Sequence, residues 1–505
     1  MNPILKAVEH FAKTTPGAIA LEGHSTRISY SCLSQEIDSA STCLKKYGLT
    51  QIGLLMDNGP AWAVIDLAAL YNQSVLVPLA SFFSDQQLLH VIKSASLDTI
   101  ITDNPGRLMN LLPNARLLPR ARIAGQNIWH VSLPVADKSS RPASLPKDTI
   151  KITFTSGTTG APKGVCLTEN TISNVALSLS RITEVNDCDK HLSILPMSVL
   201  LENIAGLYVA LLRGVPCSLP SLEQLGSEGS SSVDFLKLFT VVKEQRATSI
   251  ILIPEILQAL LATVEQGLEL PDLRFAAVGG ASVSPTLLEK AATLGVPVYE
   301  GYGLSECASV VAVNNPENVR RGSVGKPLRH LNVSIAADNE IMVTGPVYAG
   351  YLGETTNEPD KPLATGDLGY IDDDGYLYVT GRKNNVFITS FGRNVSPEWI
   401  EREVLAQPPI AQAVVYGESR PWNVAVIVPK QNATKTQIEK ALNEVNRTLP
   451  DYAKVSQWLQ AEEAFTPTNN QYTANGRPKR NQIWNAYANQ INQLYELTAT
   501  HQSEM

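Results

Sequence analysis

The residues best placed to do chemistry are gathered in one ten-residue run, TSGTTGAPKG, at positions 155–164. Gly157, Gly160 and Gly164 let the backbone turn tightly and come close to a ligand. Backbone N–H groups and the hydroxyls of Thr155, Ser156, Thr158 and Thr159 can donate to anionic oxygens, and Lys163 adds a positive charge. A buried-strand run, IKITF at 150–154, leads straight into it, which separates it from an ordinary glycine- and serine-rich linker. These residue types in this order predict a phosphate-binding loop. It is not a Walker A loop, because Pro162 stands where that motif needs a glycine directly before the lysine. No HExxH, CxxC pair or grouped His/Cys set suggests zinc, and no Ser-His-Asp or Cys-His arrangement suggests a side-chain nucleophile.

The loop needs a scaffold. Short apolar runs at 52–56, 75–79, 98–102, 150–154, 248–253, 274–278 and 296–299 read as strands. Patterns at 60–72, 85–95, 171–181, 234–245 and 284–294 read as helices, and VCLTENTISN after the loop is expected to be helical. Strands buried on both faces with helices between them imply an α/β fold of doubly wound, mostly parallel sheets. Such sheets place ligands at the carboxyl ends of their strands. Residues 332–345 and 365–381 look like antiparallel strands of a small β-subdomain, with a hairpin at Asp374-Gly375. A small, mobile α+β unit follows: strands near 386–389, 412–416 and 423–429, helices from Pro397 and at 435–446, then a loop-rich tail. The polar stretch Arg382–Asn385 sets the boundary, giving a large N-terminal domain over 1–383 and a small C-terminal domain over 384–505.

Four further segments carry chemistry-bearing residues. VPVYEGYGLSECASVV (296–311) leaves a strand and gathers Gly301, Tyr302, Gly303, Ser305 and Glu306 in one turn. AAVGGAS (276–282) ends a strand on Gly279 and Gly280, followed by Ala281. ATGDLGYIDDDGYLYVTGR (364–382) holds Asp367 and Arg382. KNNVFITSFGRNVSPEWIEREV (383–404) holds Asn384, Gly392, Arg393 and Asn394, and its Ser396-Pro397 reads as a helix N-cap with proline at N1. In this order and at roughly this spacing, the five segments resemble the adenylate-forming (AMP-binding) superfamily, in particular acyl-CoA synthetases and fatty-acid–CoA ligases, over about residues 5–485.

The resemblance implies ATP and CoA as co-substrates and Mg²⁺ as cofactor. It implies that the 155–163 loop and Ser305 hold phosphate, that Tyr302, with its neighbours Gly301 and Gly303, lines adenine, and that Gly279, Gly280 and Ala281 pass between adenine and the acyl group. Glu306 and Thr158 are the implied Mg²⁺ ligands, which suits a hard cation that takes few protein carboxylates. Asp367 accepts from both ribose hydroxyls, as a carboxylate can, and Arg382 contacts ribose or phosphate. Asn384 stands at the hinge, and Gly392, Arg393 and Asn394 face the CoA channel.

Two departures bear on function. The family's C-terminal lysine sits in TxxGKxxR, whereas this chain has TANGRPKR (473–480), with Arg477 in that place and Lys479 two residues on. Arginine keeps the charge but replaces a compact ammonium with a wide planar fork. Three readings stay open: Arg477 serves, Lys479 serves, or adenylation is impaired and the chain is a weak nucleotide-binding relative. LPMSVLLENIAGLY (195–208) is the second departure, because Val199, Leu200 and Ile204 make an aliphatic stretch where many relatives carry an aromatic residue or histidine. It reads equally as an acyl pocket or as a core helix.

With 505 residues, 44% of them hydrophobic and 18% charged, the chain can bury a large core. Its net charge of −7 argues against nucleic acid as a partner. No transmembrane run or secretory leader is read, and six unclustered cysteines point to a reducing, cytoplasmic setting. The expected function is activation of a small carboxylic acid, fatty or otherwise apolar, followed by transfer to CoA. The alternative acceptor is the phosphopantetheine of an acyl carrier protein, loaded with an acyl, aryl or amino acid.

Overall fold

The computed structural model describes residues 2–46, 49, 51–118, 121–133, 145–155, 162–184, 186, 188–228, 232–354, 361–390, 393–473 and 476–502. The chain forms two compact units: residues 1–280, 291–333 and 342–363 in one, and 281–290, 334–341 and 364–505 in the other.

The first unit is built on two nine-stranded sheets. In one, Val298–Tyr302, Phe275–Val278, Ser249–Leu252, His191–Leu192, Cys217–Ser218 and Ile19–Glu22 run parallel as neighbours, with antiparallel strands at both edges. In the other, Thr149–Thr155, Val75–Pro78, Gln51–Leu55 and Thr99–Thr102 form the parallel centre. The strands and helices expected from the apolar runs are present within a few residues of their expected ends. Helix Pro60–Tyr71 is buried from Pro60 to Leu70 and packs in the core with Leu54, Leu76 and Ile172.

A charged pair lies inside that core. Asp66, in the middle of the buried helix, pairs with Lys151 on strand Thr149–Thr155, Nζ to Oδ1 at 2.7 Å, and both side chains are almost completely buried. Tyr208 donates to Asp66 Oδ2, and Asn203 donates to the same oxygen at 3.1 Å. A desolvated ion pair persists only when its remaining donors and acceptors are also satisfied, as they are here. The network ties the strand that leads into the 155–164 loop to the 202–208 segment.

The turn after Thr155 corrects one expectation. Lys163–Thr168 is a strand, antiparallel to Thr149–Thr155 with Lys163 opposite Thr155, and helix Glu169–Ile182 starts only after it. Gly164, Val165, Cys166 and Leu167 are all buried, and a sheet buries both faces of such a run while a surface helix exposes one. Thr168 accepts from Thr171 N–H and caps the helix. Thr149–Thr155 and Lys163–Thr168 therefore pair as the two arms of a β-hairpin, where a strand-to-helix turn was expected.

Strands Asn332–Ile335, Glu340–Thr344, Leu363–Ile371 and Leu377–Arg382 make the expected small sheet, and Gly375 takes a positive φ of 82° at its hairpin. Farther on, Ile410–Tyr416 and Asn423–Pro429 pair antiparallel, and Val455–Gln460 adds a parallel third strand. Alternation divides this sheet between two cores. Ala413, Val415, Ala425 and Ile427 pack with helices Pro397–Leu405 and Lys435–Thr448, while Val414, Val424 and Val426 pack with Ile483, Tyr487 and Ile491. The tail is thus not loop-rich: it holds strand Val455–Gln460 and helix Arg480–Gln502. Ser396 occupies the N-cap position before Pro397, but its hydroxyl donates to Glu398 Oε2 and does not cap.

Candidate active site

In the first unit, the hairpin strand from Lys163 to Cys166 and the 296–311 turn are brought together by a third segment that the motifs did not single out. Ser156, Gly157, Thr158, Thr159 and Gly160 lie outside the described residues. The flanks of the tip are described: Thr155 Oγ1 donates to Lys163 O at 3.5 Å, and Pro162 O is 3.0 Å from His90 Nε2. Lys163 is exposed. Its Nζ lies 5.3 Å from the centroid of the Tyr351 ring. The Tyr351 hydroxyl donates to Glu306 Oε1 at 2.7 Å. Tyr351 sits on the two-residue strand Gly350–Tyr351, which pairs with Val165 and Cys166 just beyond the hairpin tip. Tyr348 N–H donates to Glu306 O at 2.7 Å, and the Tyr348 and Tyr351 rings meet edge-on at 5.0 Å. One short edge strand therefore holds both the exit of the loop and the carboxylate turn. Burial, then the neighbouring Glu306 charge, pushes the Tyr351 phenol well above its ordinary range, so it is a donor at neutral pH.

The turn bearing Glu306 is tightly determined. Strands Phe275–Val278 and Val298–Tyr302 are parallel neighbours, so Gly279 and Gly303 both lie just past the carboxyl ends of adjacent strands. Gly280 takes φ +83°, and a Cβ on Gly279 would come within 3.3 Å of Gly301 O. Ser305–Cys307 is a single 3₁₀ turn, followed by Ala308 and Ser309 at φ 49° and 86°. Two successive non-glycine residues in the left-handed region store strain that the surrounding contacts must offset. Tyr302 and Ser305 are half-buried beside it, whereas Ala281 is exposed and belongs to the second unit. A Cβ on Gly303 would fall 1.8 Å from Ser309 O, a backbone atom that cannot give way without moving the turn. Gly303→Ala is expected to weaken Mg·ATP binding about tenfold or more, measured calorimetrically. Unchanged affinity would separate this turn from the nucleotide.

The donor set at Glu306 fits Mg²⁺. Among the described residues no three His, Cys, Asp or Glu side chains gather into a metal cage. A cation at Glu306 would take one protein carboxylate and would complete its shell with phosphate and water oxygens, as Mg²⁺ commonly does with nucleotides.

In the second unit, Asp367 and Arg382 face each other across an antiparallel pair, Nε to Oδ1 at 2.8 Å, with Asp367 buried. Asn384 is exposed on the turn that follows, while Lys383 N–H donates to Gly366 O. A Cβ on Gly381 would collide with Ser396 Oγ at 2.1 Å, so the GR segment needs its glycine. Gly392 lies outside the described residues. Arg393 N–H donates to Thr389 Oγ1, and Asn394 pairs with Ile388 in a two-stranded hairpin.

The 473–480 segment is pinned by a residue the motif reading passed over. Arg480 contacts Glu401 through both terminal nitrogens and donates to Val415 O, while Val415 N–H donates to Glu401 Oε1. Before that anchor, Tyr472 and Pro478 form an antiparallel bridge, and Arg477 N–H donates to Thr473 Oγ1. Arg477 is exposed, whereas the Lys479 ammonium donates to Asn470 Oδ1.

The aliphatic stretch is a π-helix, Glu202–Tyr208. Leu200 and Ile204 are buried in the first unit's core, and Val199 is half-buried. The segment is less apolar than its sequence suggests: Glu202 is fully buried, held by His191 Nε2 at 2.7 Å and by Leu195 N–H. A Cβ on Gly206 would meet His191 Nε2 at 2.4 Å, and π-helical turns recur at functional sites.

The comparisons with known proteins agree with this organisation. The profile described as "AMP-binding enzyme" matches residues 8–352, and the one described as "AMP-binding enzyme C-terminal domain" matches residues 384–499. The 2-succinylbenzoate–CoA ligase of Bacillus cereus is 28% identical, aligned over 80% of this chain and 83% of the relative. The long-chain-fatty-acid–CoA ligase FadD15 of Mycobacterium bovis is 25% identical over 86% of each chain. Among solved structures, the anthranilate CoA ligase AuaEII in complex with anthranoyl-AMP superposes with a TM-score of 0.78 at 17% identity, covering 96% of this chain and 97% of that one. The O-succinylbenzoate coenzyme A synthetase of Bacillus subtilis in complex with AMP gives 0.75 at 21% identity, with 96% and 98% covered. Profile matches over most of the chain, on a fold that sets a glycine-rich hairpin beside a carboxylate turn, assign it to the AMP-binding enzyme family.

Proposed function

We propose that the protein is an AMP-forming acid–thiol ligase: it converts a carboxylic acid and ATP to an acyl-adenylate and pyrophosphate, then forms the CoA thioester. The observation that carries this reading is the convergence of Lys163, Tyr351 and Glu306 at the foot of the glycine-rich hairpin. The acid's carboxylate attacks the α-phosphorus, and pyrophosphate leaves with the electron pair of the broken P–O bond. Lys163, Thr155, Ser305 and the hairpin tip bind the departing phosphates, and Tyr302 and the 279–281 turn border the base. Asp367 accepts from the ribose, oriented by Arg382. Mg²⁺, held by Glu306 together with Thr158, supplies neutralisation of the phosphate charge. Positioning and preorganised charge supply the catalysis, and no side-chain nucleophile is needed. Arg477 takes the role of the family's lysine, whose place in TANGRPKR it occupies.

The domain division at 383/384 is proposed as the working one, with Asn384 as hinge and Gly392, Arg393 and Asn394 beside CoA in the second step. Asn384→Pro is expected to leave acid-dependent pyrophosphate exchange within about twofold and to slow thioester formation at least tenfold, since only the second step requires rotation. Equal loss of both activities removes the hinge role.

For the acid, half-buried Val199 is the aliphatic side chain that supports a fatty or other apolar substrate, since Leu200 and Ile204 pack in the core. The names of the relatives support a second reading, an aryl acid. Six free cysteines are consistent with a cytoplasmic setting, and no helix among the described residues is long and apolar enough to cross a membrane. The test is release of AMP and pyrophosphate from Mg·ATP across fatty and aryl acids, each with and without CoA. Thioester formed with one class supports the reading and names the class. Pyrophosphate without CoA turnover points to a carrier-protein acceptor, and no turnover with any acid overturns it.

A further inference from the structure

We propose that Tyr351 is a positioning residue that sets the metal preference of the site by making Glu306 a one-oxygen ligand. The inference rests on the ligase reading and concerns how this chain's own residues present the carboxylate. The Tyr351 hydroxyl donates to Glu306 Oε1 at 2.7 Å, which occupies one of that oxygen's lone-pair sites and leaves Oε2 the freer ligand for a cation. The residues are 45 apart in sequence, and the contact is held from three sides. Tyr348 N–H grips the Glu306 carbonyl, strand Gly350–Tyr351 pairs with Val165 and Cys166, and Leu352 N–H donates to Gly164 O at 2.8 Å. These bonds fix the backbone from which the phenol projects, and the Tyr348 ring packs edge-on against it at 5.0 Å.

The consequence follows from coordination chemistry. Mg²⁺ demands near-octahedral geometry at short distances and takes carboxylates through one oxygen, whereas Ca²⁺ accepts six to eight ligands and readily binds both oxygens of a carboxylate. A phenol held on Oε1 competes with the two-oxygen mode and so disfavours Ca²⁺. It also orients Oε2 before the nucleotide arrives, which lowers the ordering needed on binding. Removing only the hydroxyl lets the carboxylate turn and opens the two-oxygen mode.

The experiment measures ATP binding to the full chain by calorimetry, with no divalent metal, with Mg²⁺ and with Ca²⁺, for the wild type and Tyr351→Phe. Phe keeps the ring beneath Lys163. The variant is expected to need about tenfold more Mg²⁺ for half-maximal enhancement of ATP binding, the scale of losing one hydrogen bond to a charged group. The Ca²⁺ requirement is expected to fall or hold, so that the Ca²⁺-to-Mg²⁺ preference moves toward Ca²⁺, while metal-free ATP binding is unchanged. A loss of packing would weaken all three conditions together. Should Tyr351→Phe fail to fold, Tyr351→Leu removes the phenol without supplying another donor and carries the same expectation. Wild-type binding that depends on Mg²⁺, with an unchanged Mg²⁺ requirement and metal preference in the variant, overturns this inference and leaves the ligase reading standing. A wild type that binds no ATP under any condition overturns both.

Discussion

Arg477→Ala is expected to lower acid-dependent pyrophosphate exchange roughly a hundredfold, the usual scale for losing one well-aimed electrostatic contact, about 3 kcal/mol in the transition state. Lys479→Ala is expected to change it by no more than a few-fold. The asymmetry comes from the structure of the 473–480 segment. The Tyr472–Pro478 bridge and the lock of Arg480 on Glu401 fix the segment on the second unit's core. On that framework Lys479 spends its ammonium on Asn470, while the Arg477 side chain is exposed. Arg477→Lys, which restores the family's residue type, is expected to retain much of the activity, although the two cations differ in shape and hydrogen bonding. Separate measurements of ATP binding and of exchange divide the effect: the loss for Arg477→Ala belongs in the exchange rate more than in nucleotide affinity. A larger loss for Lys479→Ala than for Arg477→Ala reverses the assignment, and no loss for either removes both residues from catalysis.

Lys151→Met is expected to destabilise the first unit by about 3–5 kcal/mol, because it leaves the Asp66 carboxylate buried without its counter-charge. Lys151 and Asp66 are 3% and 2% exposed, so water cannot replace the lost partner. The double variant Asp66→Leu/Lys151→Met is expected to recover a large part of the loss, since replacing a whole buried ion pair by apolar groups is often close to neutral. Recovery stops short of complete because Tyr208 and Asn203 then lose the oxygen to which both donate. Urea unfolding followed by tryptophan fluorescence reads the effect directly, as Trp62 is fully buried on the helix that carries Asp66. A single variant within 1 kcal/mol of wild type shows that the pair is not a structural tie. The second unit has a matching device in Arg480 and Glu401, where one buried ion pair anchors the segment that carries Arg477. In both units a charge inside the core fixes the base of a segment whose working end reaches outward.

Local pattern determined much of this protein. Apolar runs of four to six residues separated by amphipathic stretches specify the parallel strands and their helices, because side-chain periodicity depends only on near neighbours. The segments TSGTTGAPKG, YGLSE and TGD were legible for the same reason: tight turns and phosphate approach demand glycines and short polar side chains at fixed offsets. Even Gly303 belongs to this class, since a close backbone approach leaves its mark as an obligatory glycine.

Tertiary structure alone decided the rest. Whether VCLT continued the loop into a helix or folded back as a strand depended on its partner, and pairing with both Thr149–Thr155 and Gly350–Tyr351 made it a central strand. Nothing in PVYAGYLGE marks Tyr351 as part of a site, because its partner Glu306 lies 45 residues away. The charge of Asp66 looked like an interruption of an apolar run until Lys151, 85 residues on, was found against it. Arg477 and Lys479 share a face as sequence, since positions two apart in an extended segment do, and the fold sets the Lys479 ammonium against Asn470. Spacing along a chain carries the geometry of neighbours. The choice of a partner from a distant segment is made by packing, which no local spacing records.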